Sequence, residues 1–258
     1  METENIKAIY FDLDDTLCGY ISAAHSGLRK AFKENLLDGL TLEEMVQSWV
    51  EAFAQFYPTL RASGWYERYL KCGETTRTEV MRIMLSNLGV NDPKLAKKLS
   101  HEYSKYRLEE LSLFPGAKDC LENLHGKYKL GLMTNGPADV QRDELKRLGI
   151  EKYFDCIFIE GELGFGKPDK KVFGMAEDAV GCSPHEILMI GNSYRHDILP
   201  AIEKGWNTCW IHAGNEQSLL GNAMIRETPD PNNLPKNPDK IVTSICEIFT
   251  SNSQIKIS

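Results

Sequence analysis

The sequence predicts a doubly wound α/β fold, in which helices cover both faces of a parallel β-sheet, with an all-helical module inserted after the first strand. Three observations lead to this prediction. Short and almost continuously apolar runs recur along the chain, amphipathic segments separate most of them, and residues 20–112 have helical periodicity without a convincing strand. Strands that are apolar along their whole length are typical of parallel sheets, because both faces of such a sheet are buried.

Five apolar runs predict the strands, and the first of them, KAIYFD, ends in a carboxylate. They are residues 7–12, 128–134, 156–159, 186–191 and 208–212, with a weaker sixth candidate at 223–226. The covering helices are predicted at residues 117–125, 138–148, 170–180 and 197–204. This alternation of strands and helices favours parallel pairing through crossover connections.

The inserted module is predicted for residues 20–112. Apolar side chains in residues 42–57 recur at steps of three and four residues, a wide stripe that we expect to pack in a core. Thr41 with Glu44 fits a capping box at the start of that helix. The sequence thus predicts two domains, a helical one and an α/β core that is formed by residues 1–19 and 113–258.

The composition is that of an ordinary globular protein, with 42% hydrophobic and 26% charged residues and a formal net charge of −7. Because the chain is acidic, we expect no nucleic acid partner and no binding to an acidic membrane. No apolar run approaches the roughly 18 residues of a membrane-spanning helix, and the first residues do not have the pattern of a secretory signal. The seven cysteines lack a C-x-x-C pair, which favours reduced thiols in a cytoplasmic protein. Monomer and homodimer both remain open.

Residues that can carry chemistry follow four of the predicted strands. They are Asp12-Leu13-Asp14-Asp15-Thr16, Thr134-Asn135-Gly136, Gly166-Lys167-Pro168-Asp169, and Gly191-Asn192-Ser193 with Asp197. In an open parallel sheet, ligands bind beyond the carboxyl ends of the strands. We therefore expect these groups to converge at one edge of the sheet.

The types of residue at this edge favour magnesium-dependent phosphate transfer. Asp12 and Asp14 leave the strand two positions apart, so they can face a shared Mg²⁺. Asp12 would attack phosphorus and form an aspartyl-phosphate, while Asp14 would protonate the leaving oxygen and later deprotonate water. Thr134 and Lys167 would bind the equatorial phosphate oxygens, where charge must be stabilised in the transition state.

These four motifs resemble those of the haloacid dehalogenase superfamily, in particular its phosphatase-type members with a helical cap of the C1 type after the first strand. The resemblance implies a Rossmann-like core, a Mg²⁺ cofactor and a cap that admits only a small phosphorylated metabolite. It implies catalytic roles for Asp12, Asp14, Thr134 and Lys167. It also implies substrate binding by Thr16, Asn135 and Gly136, and metal binding by Asp12, Asp14, Asn192 and Asp197.

The fourth motif departs from the family pattern at Asn192, where an aspartate usually follows the glycine. An amide oxygen can bind Mg²⁺ but brings no charge, so we expect weaker metal binding than in an all-aspartate site. Asp197 is then the remaining carboxylate of this motif, either as a direct ligand or through water.

Other functions stay open at this point. Two of them are enzymes of the same superfamily, a phosphomutase and a phosphonate hydrolase, and the latter would need a cap lysine, for which Lys30, Lys33 and Lys71 are candidates. A dehalogenase is disfavoured because such members carry no acid at the position of Asp14. A function of another class is a non-catalytic sensor or binding protein, in which Asn192 would mark a decayed metal site.

Overall fold

The computed structural model describes residues 5–61, 64–213 and 229–248. Within these residues the chain forms a six-stranded, entirely parallel sheet with the order β3-β2-β1-β4-β5-β6. The strands are β1 Ala8–Phe11, β2 Lys129–Thr134, β3 Cys156–Ile159, β4 Ile187–Gly191, β5 Asn207–Ile211 and β6 Lys240–Val242. β1 lies at the centre, where Phe11 is in register with Leu132 of β2 and Ile190 of β4.

The five predicted strands are confirmed as β1 to β5, with ends that differ by one residue at most. The weaker candidate at 223–226 lies outside the described residues. The sequence analysis missed β6, which has only three residues and pairs with β5 at the edge of the sheet. So short a strand, with only one fully buried residue, has too little apolar length to stand out in a sequence.

Helices cover both faces of the sheet, as predicted. Alternate residues of a strand point to opposite faces, and in β1 all four are buried. Ile9 and Phe11 belong to one hydrophobic cluster and Ala8 and Tyr10 to another. This burial on both sides explains why the strand has no polar residue.

Five helices lie between β1 and the next core element, and no strand occurs among the described residues of this stretch. They are α1 Tyr20–Glu34, α2 Leu42–Phe56, α3 Trp65–Lys71, α4 Gly73–Asn87 and α5 Pro93–Glu110. We call them the helical bundle. They share a hydrophobic cluster of their own, which includes Phe32, Trp49 and Met84.

The first turn of α2 has the predicted capping box. Glu44 N–H donates to Thr41 Oγ1 at 3.3 Å, and Thr41 N–H donates to Glu44 Oε2 at 2.7 Å. The apolar stripe that follows packs in the bundle core as expected, except for Tyr57, which is 60% exposed.

The remaining helices follow in the α/β part of the chain: α6 Ala117–Leu124, α7 Ala138–Leu148, α8 Glu160–Leu163, α9 Lys170–Val180 and α10 Leu199–Lys204. The helix predicted at residues 197–204 differs from the structure at its start. A π-helical turn, Tyr194–Ile198, precedes α10 and contains Asp197. π-helical turns are rare and are often found at functional sites. No helix of the described chain has the length and apolar character needed to cross a membrane.

The bundle contacts the α/β part near the carboxyl ends of β1 and β2. Gly73 N–H at the start of α4 donates to Asp139 Oδ1 of α7 at 3.0 Å. Gly161 packs so tightly that a Cβ there would lie 2.4 Å from the carbonyl oxygen of Leu70 in α3. The bundle therefore lies against the helices that follow β2 and β3.

Candidate active site

Asp12 follows the last residue of β1, and both its backbone and its side chain form hydrogen bonds. Its backbone N–H continues the pairing with β4 by donating to Ile190 O at 3.0 Å, and the residue is almost fully buried. The Thr16 hydroxyl donates to Asp12 Oδ2 at 2.9 Å. Asp15 between them has a positive φ of 59°, which turns the chain back towards the strand.

Lys167 joins the first and fourth motifs. Its Nζ lies 2.7 Å from Asp12 Oδ1 and 2.6 Å from Asp197 Oδ1, and its side chain is 3% exposed. Burial opposes the charged form, but the two carboxylates outweigh it and raise the pKa of Lys167 above its usual value. The ammonium group therefore stays charged between two buried carboxylates.

Both oxygens of Asp197 lie close to groups of the protein. Oδ1 pairs with Lys167, and Oδ2 accepts the Ser193 N–H at 2.9 Å. Gly191 permits this arrangement, since a Cβ there would lie 2.4 Å from Asp197 Oδ2. Burial raises the pKa of Asp197, and the Asp12 charge adds to that effect while Lys167 opposes it.

The side-chain oxygen of Asn192 is buried without a hydrogen-bond partner among the described residues. Its backbone is held firmly, since its N–H donates to Thr16 Oγ1 at 3.0 Å and its carbonyl accepts from Trp210 Nε1 at 2.8 Å. A buried amide oxygen of this kind normally has a partner. Asn192 Oδ1 is thus available to a ligand.

The oxygens of Asp12, Asp14 and Asn192 fit a hard cation. Across residues 5–61, 64–213 and 229–248, no group of three or more histidine, cysteine, aspartate or glutamate side chains could hold a metal ion. An amide is not among those side chains, and Mg²⁺ usually takes only one or two protein carboxylates beside water and substrate oxygens. The donor set is therefore sufficient for Mg²⁺, with fewer charges than an all-aspartate site.

The second motif lies beside Lys167, and the polar groups of Asn135 and Gly136, which we expected to bind substrate, form hydrogen bonds within the protein. Asn135 Nδ2 donates to Lys167 O at 2.6 Å, and Lys167 N–H donates to Asn135 Oδ1 at 2.9 Å. Gly136 N–H donates to Glu160 Oε2 at 3.0 Å. Asn135 thus fixes the backbone of Lys167, and substrate binding by Asn135 and Gly136 stays a prediction.

The sequence analysis missed four residues that complete the site. Gln141 and Glu144 lie on the buried face of α7, Arg107 reaches them from α5, and Glu160 accepts hydrogen bonds from Gly136 and from Tyr66 of α3. One signal was present in the sequence: Gln141 and Glu144 interrupt the apolar stripe of α7 beside Val140 and Leu145. A polar side chain on a buried helix face normally has a buried hydrogen-bond partner.

Two hydrogen-bonded groups therefore meet at the carboxyl edge of the sheet. The first comprises Asp12, Thr16, Lys167, Asn192 and Asp197. The second links Asp14 and Thr134 through Gln141, because Gln141 Nε2 donates to Asp14 Oδ2 at 3.2 Å and Thr134 Oγ1 donates to Gln141 Oε1 at 2.6 Å. The nine predicted site residues thus lie in one neighbourhood of the fold.

Comparison with known families and proteins agrees with this geometry. The sequence model of the haloacid dehalogenase-like hydrolases matches residues 6–205, and a second, HAD-hydrolase-like model matches residues 164–248. The pyrimidine 5'-nucleotidase YjjG of Escherichia coli is 30% identical over 214 residues, which cover 83% of this chain and 89% of the relative. The phosphoserine phosphatase of Thermus thermophilus is 30% identical over 227 residues, covering 81% and 90%.

Solved structures show the same fold. The HAD-hydrolase YfnB of Bacillus subtilis, solved with bound magnesium, superposes with a TM-score of 0.67 at 22% identity and covers 94% of this chain and 96% of its own. The L-2-haloacid dehalogenase of Xanthobacter autotrophicus superposes with a TM-score of 0.62 at 21% identity, covering 93% and 95%. At these identities the two structures bear on the fold alone.

Proposed function

Because this chain belongs to the haloacid dehalogenase superfamily of hydrolases, we propose that it is a Mg²⁺-dependent phosphatase. It hydrolyses a small phosphorylated metabolite through an aspartyl-phosphate intermediate on Asp12. The observation that carries the proposal is the different environment of two carboxylates. Asp12 is paired with Lys167 and Thr16, whereas Asp14, two residues on, is bonded to the neutral amide of Gln141.

The first chemical step uses Asp12 as the nucleophile. A carboxylate oxygen of Asp12 forms a bond to phosphorus while the bond from phosphorus to the ester oxygen breaks, and Asp14 delivers a proton to the departing oxygen. Lys167 stabilises the negative charge that develops on the phosphoryl oxygens. The Thr134 hydroxyl would bind those oxygens by redirecting its hydrogen, which it donates to Gln141 Oε1 in this structure.

The second step regenerates the enzyme. Asp14, now a carboxylate, removes a proton from water as the water oxygen attacks the phosphorus of the aspartyl-phosphate. The bond between phosphorus and Asp12 breaks, inorganic phosphate leaves, and Asp14 is again protonated. Water is the second substrate, and the two steps need no oxidant or reductant.

The cofactor that suits this site is Mg²⁺. Asp12, Asp14, Asn192 and Asp197 would hold it, Asp197 either directly or through water. Asp197 also pairs with Lys167. When bound, the ion supplies charge that screens the repulsion between Asp12 and an anionic substrate.

The substrate class is supported by the helical bundle and by the relatives. The helical bundle forms the proposed cap, residues 20–112, and contacts the helices around the site. A cap in this position restricts access to the site, which favours small substrates over macromolecules. Relatives at 30% identity are named for a nucleotide and for phosphoserine, both of them small phosphomonoesters. We propose no nucleic acid or membrane partner, in keeping with the net charge of −7, and a cytoplasmic monomer or homodimer.

A hydrolysis assay tests the proposal. The purified protein should hydrolyse p-nitrophenyl phosphate with Mg²⁺, lose this activity in EDTA, and regain it when Mg²⁺ is restored. Asp12→Asn should be inactive, whereas Asp38→Asn, the same chemical change at an exposed position, should keep full activity. A panel of phosphorylated metabolites then identifies the substrate. If neither that ester nor the panel is turned over in the presence of metal, the binding-protein alternative replaces the proposal.

The other enzyme alternatives are outcomes of the same assay. Lys30, Lys33 and Lys71, the candidate cap lysines of a phosphonate hydrolase, are all exposed, and Lys30 pairs with Glu109 at 3.5 Å. A dehalogenase would release halide from a 2-haloacid and would spare p-nitrophenyl phosphate. Transfer of phosphate to a second hydroxyl without release would indicate a mutase.

A further inference from the structure

A chain of buried polar side chains runs from the helical bundle to Asp14, and the proposed function leaves it unexplained. It comprises Arg107, Glu144 and Gln141, which are 3%, 0% and 2% exposed. Arg107 of α5 forms an ion pair with Glu144 Oε1, and Gln141 Nε2 donates to Glu144 Oε2 at 3.1 Å. We call these three residues the Gln141 chain.

We infer that Gln141 is a positioning residue that holds the Asp14 carboxyl group in one orientation, and that the Arg107–Glu144 ion pair holds Gln141 in place. The inference deepens the proposed function and rests on it.

The orientation of the Gln141 amide is fixed by its neighbours. Its nitrogen lies between two carboxylates, 3.2 Å from Asp14 Oδ2 and 3.1 Å from Glu144 Oε2. Carboxylates accept hydrogen bonds and an amide NH₂ group has two hydrogens to donate. A flipped amide would set its carbonyl oxygen against both carboxylates, so only one orientation satisfies the three groups.

This orientation of the amide restrains Asp14. The hydrogen bond from Gln141 Nε2 to Asp14 Oδ2 opposes rotation of the carboxyl group. The general acid is thus presented to the leaving group in one defined orientation, which a rotating carboxyl group would not provide.

Glu144 needs Arg107 to remain in this chain. A fully buried carboxylate is strongly unfavourable without a cation. Burial disfavours the charged guanidinium as well, but Tyr20 and Glu144 raise the pKa of Arg107, so that it stays protonated. Because Arg107 lies in α5, the bundle contributes to the orientation of an acid that follows β1.

Leaving-group dependence separates positioning of the acid from a general structural role. Aryl phosphates with para substituents have the same shape but differ in how much their leaving oxygen needs a proton. The readout is kcat/KM, which reports on the first step, because the second step is the same for every ester. Gln141→Met should lower kcat/KM for p-methoxyphenyl phosphate about 100-fold, within the range of general acid catalysis. It should lower kcat/KM for p-nitrophenyl phosphate less than about 10-fold, because nitrophenolate leaves without much help.

A second variant and a control keep the test decisive. Gln141→Leu also has no N–H for Asp14 and cannot ionise, so it should show the same steeper dependence on the leaving group. Thr76→Val removes a buried hydroxyl that bonds to Gly73 O at 3.1 Å in the bundle. It should leave the dependence unchanged, even where stability falls.

Each outcome has one meaning. A steeper leaving-group dependence in either folded Gln141 variant supports the inference. An equal loss for all aryl phosphates, or no loss, overturns the inference and leaves the proposed function standing. Wild-type protein that hydrolyses none of the aryl phosphates overturns the proposed function and this inference together.

Discussion

Lys167 balances two buried carboxylates, and this single residue determines much of the electrostatics of the site. Its ammonium group lies within 2.7 Å of Asp12 and 2.6 Å of Asp197. Attack on an anionic phosphate requires the Asp12 carboxylate to be charged, but that charge repels the phosphate. The ammonium group of Lys167 stabilises the charged carboxylate and also attracts the phosphate. Two hydrogen bonds between the Asn135 side chain and the Lys167 backbone hold Lys167 in place.

Removing this cation should affect activity and stability together. Lys167→Met should lower kcat by about 100-fold or more and destabilise the protein by about 3–5 kcal/mol, because it leaves two buried carboxylates uncompensated. Phosphatase assays and urea unfolding measure the two effects. Lys170→Met, at an exposed lysine that pairs with Glu203, is the control and should change neither. Wild-type kcat in Lys167→Met would show that the cation is dispensable.

The residue at position 192 should set the strength of metal binding. Asn192→Asp adds a charge next to the proposed Mg²⁺ site, where the amide oxygen is buried without a partner among the described residues. We expect the variant to reach half-maximal rate at a lower Mg²⁺ concentration, as titrated by activity. An unchanged or higher concentration would contradict a ligand role for Asn192.

At the residue scale, the sequence identifies groups that sit directly at strand ends. Asp12, Asp14 and Thr134 are found in this way, because the direction of a parallel strand determines where the residues at its end point. Lys167 is found by its motif, since α8 lies between it and the end of β3. Gln141 lies in the first turn of α7, so its role depends on how α7 packs and not on the strand. Its contact with Asp14, 127 residues away in sequence, becomes visible only in the fold.

At the element scale, local signals are accurate where they act within a few residues. The capping box of α2 is an example, because both of its hydrogen bonds join residues three apart. The start of α10 is the opposite case. A π-helical turn precedes it and turns Asp197 towards Lys167, and no periodicity in the sequence distinguishes this turn from an α-helix.

Thr41→Ala tests the local signal. Loss of the cap should destabilise the protein by about 1 kcal/mol and leave kcat unchanged, because α2 begins far from the strand ends in the bundle. Urea unfolding and the phosphatase assay measure the two quantities. Thr75→Ala is a suitable comparison, since the Thr75 hydroxyl donates to the carbonyl of Cys72 at 2.8 Å and accepts no backbone N–H of a cap. A large loss of activity in Thr41→Ala would mean that this end of α2 takes part in function.

At the scale of the whole molecule, the sheet, the bundle and the site depend on one another through a few buried contacts. The Arg107–Glu144 pair is the most buried of these, and Gly73 with Asp139 forms a second link between the bundle and α7. The sequence predicts the two parts from their different periodicities. It does not predict their contacts, which join residues tens of positions apart and depend on side-chain packing.

A double-mutant cycle measures the main contact between bundle and core. Arg107→Met should destabilise the protein by about 3–5 kcal/mol, because Glu144 is then a buried charge without its cation. Arg107→Met with Glu144→Met removes both charges and should be less damaging than the sum of the single changes, by about 0.5–3 kcal/mol. Urea unfolding of the four proteins gives the coupling. Additive losses would mean that the two residues act independently.

The central claim is that Asp12 becomes phosphorylated during turnover. Asp14→Asn should slow the second step more than the first with p-nitrophenyl phosphate, because a good leaving group needs little protonation while water still needs a base. The variant should be mixed with this substrate and Mg²⁺, quenched in acid, digested and analysed by mass spectrometry. We predict one added phosphoryl group on the peptide that contains Asp12, located at that aspartate and absent when Asp12 is also changed to Asn. Wild-type release of phosphate with no such adduct in any rapidly quenched sample, or an adduct on another residue, would contradict the account.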